Sequence, residues 1–496
     1  MGIFDHIWLG LVSVISWPAF GFLLIGTAIG ITFGAIPGIN AITAIVLILP
    51  FLYGMDPVAA ITLLVAIMAS VQTGNSFPAI LFNVPGTPSA AATLMDGYPM
   101  AKQGAAARAL SASFTASTLG GIIGAMVLLV SIPVIQPIVL MFASPERFML
   151  IIIGIVMIGV LSSGEHRIRG LLAGALGLLI SSMGMDPQLG VPRYTFGQLD
   201  LMYGVRLAPL VMGLFCLPEL IDMVRRGSIA GRKVEKVEVG RGFMQGIRDV
   251  FIHWGLVLRG SFLGALVGAI PGLGGTQAAF YAYGFAVQGA KDKGSFGKGD
   301  IRGIIAPEAS NNASVGGELI PIVAFAIPGN AATALLMAAL LVLGIQPGPE
   351  MLAGKLTITA SMIWTILVSN VLATIVCLAL VKPISRISTI SAGVLTPVIL
   401  LFVIFGSYVD ELNISNLAVT LGFGLLGFLM VKLEFPRAPL LIGAVLGKLA
   451  EKYLGLSLMN FGPWFLFERP ISLVLFLIMV TFIAFSFIRF RGATAK

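Results

Sequence analysis

Apolar stretches of about 20 residues recur along nearly the whole chain, each long enough to cross a bilayer as a helix. Proline and glycine interrupt them at four related places. The string AIPGI occupies residues 35–39 and AIPGL residues 269–273; NVPGTPSAAAT begins at Asn83 and AIPGNAATALL at Ala326. The same two breaks thus occur in the same order, about half a chain apart. The pattern predicts membrane helices broken at matched positions.

Composition sharpens this picture. Of 496 residues, 57% are hydrophobic and 10% charged, against about 25% charged in ordinary globular chains. Lipid is the solvent that such a surface requires. The 60 glycines and 27 prolines fit interrupted, closely packed membrane helices. Cys216 and Cys377 lie far apart in apolar runs and read as small buried hydrophobes. No Lys or Arg precedes the first apolar run, so no cleaved signal peptide is expected.

Positive charge sets the expected orientation. Lys102, the first basic residue, and Arg108 open a series of clusters: Arg167 with Arg169, residues 225–242, residues 291–302, Lys382 with Arg386, Lys432 with Arg437, and the tail from Arg489. Placing these in the cytoplasm leaves poorer loops outside at 54–57, 133–145, 186–203, 407–413 and 455–467. The N-terminus is then periplasmic and the C-terminus cytoplasmic. Single charges near outer ends, such as Arg193, Lys448 and Lys452, are exceptions.

The halves align on the breaks. Pro37 pairs with Pro271 at an offset of 271 − 37 = 234, and Pro85 with Pro328 at 328 − 85 = 243. The basic loop 291–302 is expected to hold the nine extra residues (243 − 234 = 9). Around the second break, residues 74–86 lie over residues 317–329 without gaps. The acidic loop at Asp56 faces a basic counterpart, and the basic loop at 102–108 faces residues 344–354, which lack Lys and Arg. These charge reversals predict two inverted-topology repeats, a pattern characteristic of secondary transporters. Boundaries follow at 1–224 for the first repeat, 225–254 for a basic cytoplasmic linker, 255–454 for the second repeat, and 455–496 for an outer loop, last helix and tail.

A broken membrane helix leaves backbone groups that must face protein or a water-filled cavity. Half-helix N-termini present free N–H groups and suit an anion. Pro85, Gly86, Thr87 and Ser89, with Pro328, Gly329, Asn330 and Thr333, are therefore the expected substrate contacts. Pro37, Gly38 and Asn40, with Pro271, Gly272 and Gly275, form the other pair of breaks. Polar residues inside apolar runs are functional candidates. Asn75 and Ser76 in the first half, and Glu308, Asn311, Asn312 and Glu318 in the second, offer oxygen ligands for a coupling cation. Na⁺ is the expected ion, with H⁺ as the alternative, and no other cofactor is expected. Asp96 reads as structural or peripheral. There is no phosphate-binding loop for ATP hydrolysis, and no catalytic dyad, so the chain does not read as an enzyme.

The segments FGAIPGINAITAI, GNSFPAILFNVPGTPSAAATLMDGYPMAKQG and PEASNNASVGGELIPIVAFAIPGNAATALLMAAL closely resemble the large membrane subunit (the TctA family) of the tripartite tricarboxylate transporters. The resemblance spans essentially the whole chain. It implies a polytopic all-α protein of the bacterial inner membrane, of elevator-like architecture by analogy with other binding-protein-dependent carriers. It also implies cation-driven uptake of small carboxylates: tricarboxylates, dicarboxylates or aromatic acids. The implied partners are a small membrane subunit (TctB-like) and a periplasmic solute-binding protein (TctC-like), with no nucleic acid. The alternative is the permease subunit of a primary, ATP-driven importer, which would need an ATPase partner.

Overall fold

The structure, a computed structural model, describes residues 2–161, 166–186, 190–226, 242–409 and 412–491. Half of the expected basic linker, residues 227–241, lies outside them. Apart from a small hairpin pairing Gly184–Met185 with Pro192–Arg193, the described residues form helices and their connections. Among the described residues seven helices are long and apolar enough to span a membrane, or up to nine if each of two bent pairs counts as one span. The large apolar side chains of the outer helices, such as Leu401, Phe405, Leu421, Leu425, Leu477 and Ile478, point outward. That arrangement suits lipid and not water. The chain is an all-α, multi-pass membrane protein.

The two halves begin alike. Ile3–Ile15 and Ala19–Ala35 meet at a 72° bend, and Phe243–Ile252 and Trp254–Gly268 at 75°. Ala19–Ala35 then lies along Pro57–Gly74, and Trp254–Gly268 along Arg302–Phe325. Glycines at four-residue spacing make both contacts. A Cβ on Gly26, Gly30 or Gly34 would run into the carbonyl oxygens of Leu63, Ile67 and Val71, at 2.5–2.8 Å. Gly260, Gly264 and Gly268 meet the carbonyls of Ala306, Ser310 and Ser314. Each glycine shifts by 234 (260 − 26) and each carbonyl by 243 (306 − 63), the two offsets of the Pro-Gly motifs. Small residues at this spacing let membrane helices approach backbone to backbone.

Arg302–Phe325 is buried along nearly its whole length. Its other side receives Gly120 and Gly124 of Ala106–Val139, which face the carbonyls of Ala309 and Ala313. A second-half helix is thereby locked into the first half. The periphery is exchanged in the same manner. Arg437–Phe461 packs on Ser144–Leu161 and Arg167–Ser181, with Gly177 against the Leu440 carbonyl. The helical stretch 207–226 packs on Ala392–Val409 and Ser415–Lys432, with Gly213 against the Thr420 carbonyl.

Three sequence expectations change. Ala106–Val139 runs through Pro133 and Pro137, so the outer loop starts later than residue 133. Arg437–Phe461 continues past the boundary at 454/455, with Gly455 buried inside the helix. The extra length of the second half is not confined to loop 291–302. Gly274–Gly289 is a 16-residue helix where the first half has the 8-residue Ala41–Ile48 followed by the 3₁₀ turn Leu49–Leu52.

Candidate functional site

Both later breaks are built by one device. Ser76–Phe82 ends at Asn83 with φ 54°, ψ 33°, and Arg302–Phe325 ends at Ala326 with φ 56°, ψ 35°. The next N–H groups, of Val84 and Ile327, donate back to Pro78 and Pro321 at 3.2 and 3.1 Å. All three pairs differ by 243 (326 − 83). A left-handed residue costs a non-glycine about 1–2 kcal/mol, so the stop is imposed by its surroundings. Pro-Gly follows, and then a short helix: Ala90–Met100 in the first half, Ala331–Val342 in the second.

The residues after the breaks differ in employment. Asn330 caps its helix, its Oδ1 accepting from the Thr333 N–H at 3.0 Å while Thr333 Oγ1 accepts from the Asn330 N–H at 2.8 Å. Both side chains are used in a reciprocal cap. Thr87 caps nothing. Its hydroxyl accepts from Asn75 Nδ2 at 2.7 Å and lies 2.8 Å from Ser89 Oγ. Asn75 and Glu318 occupy equivalent positions (318 − 75 = 243), as do Thr87 and Asn330. Asn75 touches Thr87, and Glu318 and Asn330 meet beside Gly274, lying 3.4 and 3.3 Å from where its Cβ would be.

The cation candidates fall into three groups. Glu308, 1% exposed, is enclosed by first-half hydroxyls. Ser76 and Thr93 donate to Oε1 at 3.1 and 2.6 Å, Ser117 donates to Oε2 at 2.8 Å, and Ser113 donates to Ser76. Asn312 donates to Thr73 Oγ1 and to Asn370 Oδ1 at 2.7 Å. Finally, Gln72 Oε1 accepts from Asn75 Nδ2 at 3.3 Å and from Asn311 Nδ2 at 3.1 Å. The carboxamide oxygens of Asn75, Asn311 and Asn312 are buried without partners, which is uncommon and leaves each able to accept from a hydrogen-bond donor or a cation. Glu318 accepts from the Gly275 N–H at 3.1 Å. Among the described residues neither acid is ion-paired, and no three His, Cys, Asp or Glu side chains cluster as metal ligands.

Of the earlier breaks, Asn40 caps Ala41–Ile48 through the N–H groups of Ile42 and Thr43. Gly38 and Gly272 take φ of 85° and 90°, which explains glycine at both. Asp96 is structural. It is fully buried and accepts from Tyr283 Oη at 2.9 Å and from the Gly299 and Asp300 N–H groups, fastening loop 291–302. In that loop, burial pushes the Asp300 carboxyl up, but hydrogen bonds from Arg302 and Ser295 outweigh it and hold it down at about 2. Thr93, Ser113, Ser117, Gln72 and Asn370 complete the polar interior. Their only sequence signal is polarity inside apolar helices, which does not say what they face.

Comparison with known proteins gives the family. Residues 20–442 match the family described as "Tripartite tricarboxylate transporter TctA family". The chain belongs to that family. It is 31% identical over 454 residues, 92% of this chain and 90% of the other, to an "Uncharacterized 52.8 kDa protein in TAR-I ttuC' 3'region" of Agrobacterium vitis. A second relative from that organism, an "Uncharacterized protein in TAR-II ttuC' 3'region", is 32% identical over 191 residues, 38% of this chain and 79% of the other. No solved structure matches the chain. As a TctA-family protein it is a membrane component of a transporter, and its buried polar groups are to be read for binding and movement.

Proposed function

We propose that this TctA-family chain imports small carboxylates by cation symport, as the membrane carrier of a three-part system. The observation that carries the reading is the pair of matched breaks, with polar side chains and half-helix N-termini but no Lys or Arg in either segment. Neutral donors and helix ends bind a carboxylate that must later be released, and a co-bound cation offsets the cost of dehydrating it. Thr87, Ser89 and the N–H groups after Gly86 and Gly329 are the proposed substrate contacts.

The common offsets, bends and left-handed stops support two repeats, and the charge pattern supports their inverted orientation. Helices around the breaks form the transport unit. The peripheral bundles, each borrowing a helix from the other half, form the scaffold against which it moves. A periplasmic solute-binding protein delivers substrate, a small membrane subunit accompanies the carrier, and the N-terminus faces the periplasm of the bacterial inner membrane.

Proteoliposomes test this. Labelled tricarboxylates, dicarboxylates and aromatic acids are offered with the partner proteins, and Na⁺ and pH gradients are imposed separately. Uptake with a cation gradient and no ATP is expected. Uptake that requires ATP and an ATPase would overturn it in favour of a primary importer.

A further inference from the structure

The geometry points to one Na⁺ site, in the second half only, formed by Glu318, Asn311 and Ser314 around Gly275. The inference rests on the cation-driven reading above and assigns its ion to a place. Positions 311, 314 and 318 follow i, i+3, i+7 spacing and so share one face of Arg302–Phe325. All three reach the start of Gly274–Gly289. Glu318 Oε1 accepts from the Gly275 N–H. A Cβ on Gly275 would lie 2.8 Å from both Asn311 Oδ1 and Ser314 Oγ. That space is open because residue 275 has no side chain.

The second observation is the orientation of Asn311. Its side chain is 2% exposed, and its Oδ1 has no hydrogen-bond partner. Gln72 Oε1 takes the Nδ2 groups of Asn311 and Asn75 together. Both amides are therefore turned with nitrogen toward Gln72 and oxygen away from it. Ser314 donates its proton to the Asn311 carbonyl at 2.8 Å, which leaves its oxygen lone pairs free. One carboxylate with a neutral amide oxygen and a hydroxyl oxygen balances a single positive charge. Hard cations take such oxygen ligands, and a monovalent ion leaves no net charge in a low-dielectric interior.

The first half cannot repeat the site. Subtracting 243 turns Asn311, Ser314 and Glu318 into Met68, Val71 and Asn75, and subtracting 234 turns Gly275 into Ala41. Of the three ligands only an amide, Asn75, remains, the negative charge is lost, and a methyl group stands where the second half has only hydrogen. Glu308 is surrounded instead by hydroxyls that donate to both of its oxygens.

Thermal unfolding of the purified full chain, with NaCl exchanged for choline chloride at constant ionic strength, tests the site without transport or substrate. Na⁺ that binds only the folded chain raises the unfolding temperature with its concentration. Gly275→Ala, Asn311→Ala and Glu318→Gln are expected to raise the Na⁺ concentration needed at least about tenfold, and Ala41→Gly to leave it unchanged. If Gly275→Ala does not fold in choline, the Asn311 and Glu318 variants carry the test. Unaltered Na⁺ stabilisation in Glu318→Gln and Asn311→Ala overturns the site while cation coupling stands. No stabilisation of the wild-type chain by Na⁺ also overturns it, and uptake driven by a pH gradient would then keep the carrier reading alive.

Discussion

The two halves stop their helices with the same backbone and then hold the breaks differently. In the first half Gly86 lies under another strand of backbone, and a Cβ there would be 2.8 Å from the Gly34 carbonyl oxygen. Around it Asn83, Pro85 and Pro88 are exposed. In the second half Pro328 and Gly329 are buried, and the Gly272 N–H donates to the Gly329 carbonyl at 2.7 Å, tying the two breaks together. A Cβ on Gly329 would meet nothing closer than 3.6 Å. The first break is positioned by steric approach and the second by a hydrogen bond. One sequence motif therefore does not imply one sensitivity.

Gly86 and Gly329 give the largest test of this contrast. Valine at Gly86 must displace the Gly34 and Asn75 backbone, and such overpacking costs about 1–3 kcal/mol or more. At a transport site, 1.4 kcal/mol corresponds to about tenfold. Uptake by Gly86→Val is expected to fall at least about tenfold with protein still in the membrane, while Gly329→Ala keeps most of its rate. Equal losses in both would show that the difference between the halves has no functional meaning.

The earlier breaks provide the next comparison. Gly272→Ala would place its Cβ 2.7 Å from Leu161 Cβ, at φ 90°. Gly38→Ala takes a similar φ of 85°, but nothing lies within 4 Å of its Cβ. The first half should lose only the conformational term of about 1–2 kcal/mol, and the second half that term plus a clash. Thermal unfolding of both variants separates them. A larger loss at Gly38 would contradict the packing described.

These contrasts mark what the sequence could reveal. Apolar run length and Pro-Gly pairs disclosed the spans and breaks, because both are local properties of the chain. Gapless alignment of residues 74–86 with 317–329 placed Asn75 opposite Glu318 before any coordinates. The glycine spacing at 26, 30, 34 and at 260, 264, 268 was equally readable as a helix contact, but its partner carbonyls carry no side-chain signal. The hydroxyls around Glu308 were not readable. Ser76, Thr93 and Ser117 lie on three separate first-half helices, and only the long-range packing of Arg302–Phe325 gathers them. The partners of Asp96 were unreadable for the same reason, since they lie about 200 residues away.

Glu308 tests that gathering. In Glu308→Gln one carboxylate oxygen becomes an amide donor facing hydroxyls that now donate. Some can rotate, but a buried group left unsatisfied costs about 1–3 kcal/mol. The unfolding temperature is expected to fall while the Na⁺ concentration that stabilises the chain stays unchanged. A change in the Na⁺ requirement would move the ion from Gly275 to Glu308 and erase the proposed asymmetry.

The smallest expected effect separates Thr87 from Thr333, which the sequence places together in the substrate set. Thr333 Oγ1 accepts from the Asn330 N–H at 2.8 Å and donates to the Asn330 carbonyl at 2.9 Å, so its hydroxyl is engaged by its own cap. Thr333→Val removes these bonds in a nearly isosteric side chain and should cost about 1 kcal/mol, within the range for a lost N-terminal cap. The substrate concentration for half-maximal uptake should not change. Thr87 has no capping role, and its hydroxyl stands between Asn75 and Ser89. Thr87→Val should disturb helix stability less and raise that concentration several-fold, since each neutral hydrogen bond to substrate contributes about 0.5–1.5 kcal/mol. Uptake kinetics and unfolding measured on both variants read the two roles independently. If Thr333→Val weakens substrate affinity as much as Thr87→Val, the cap opens during transport and its hydroxyl turns to the substrate, which would return the two halves to equivalence.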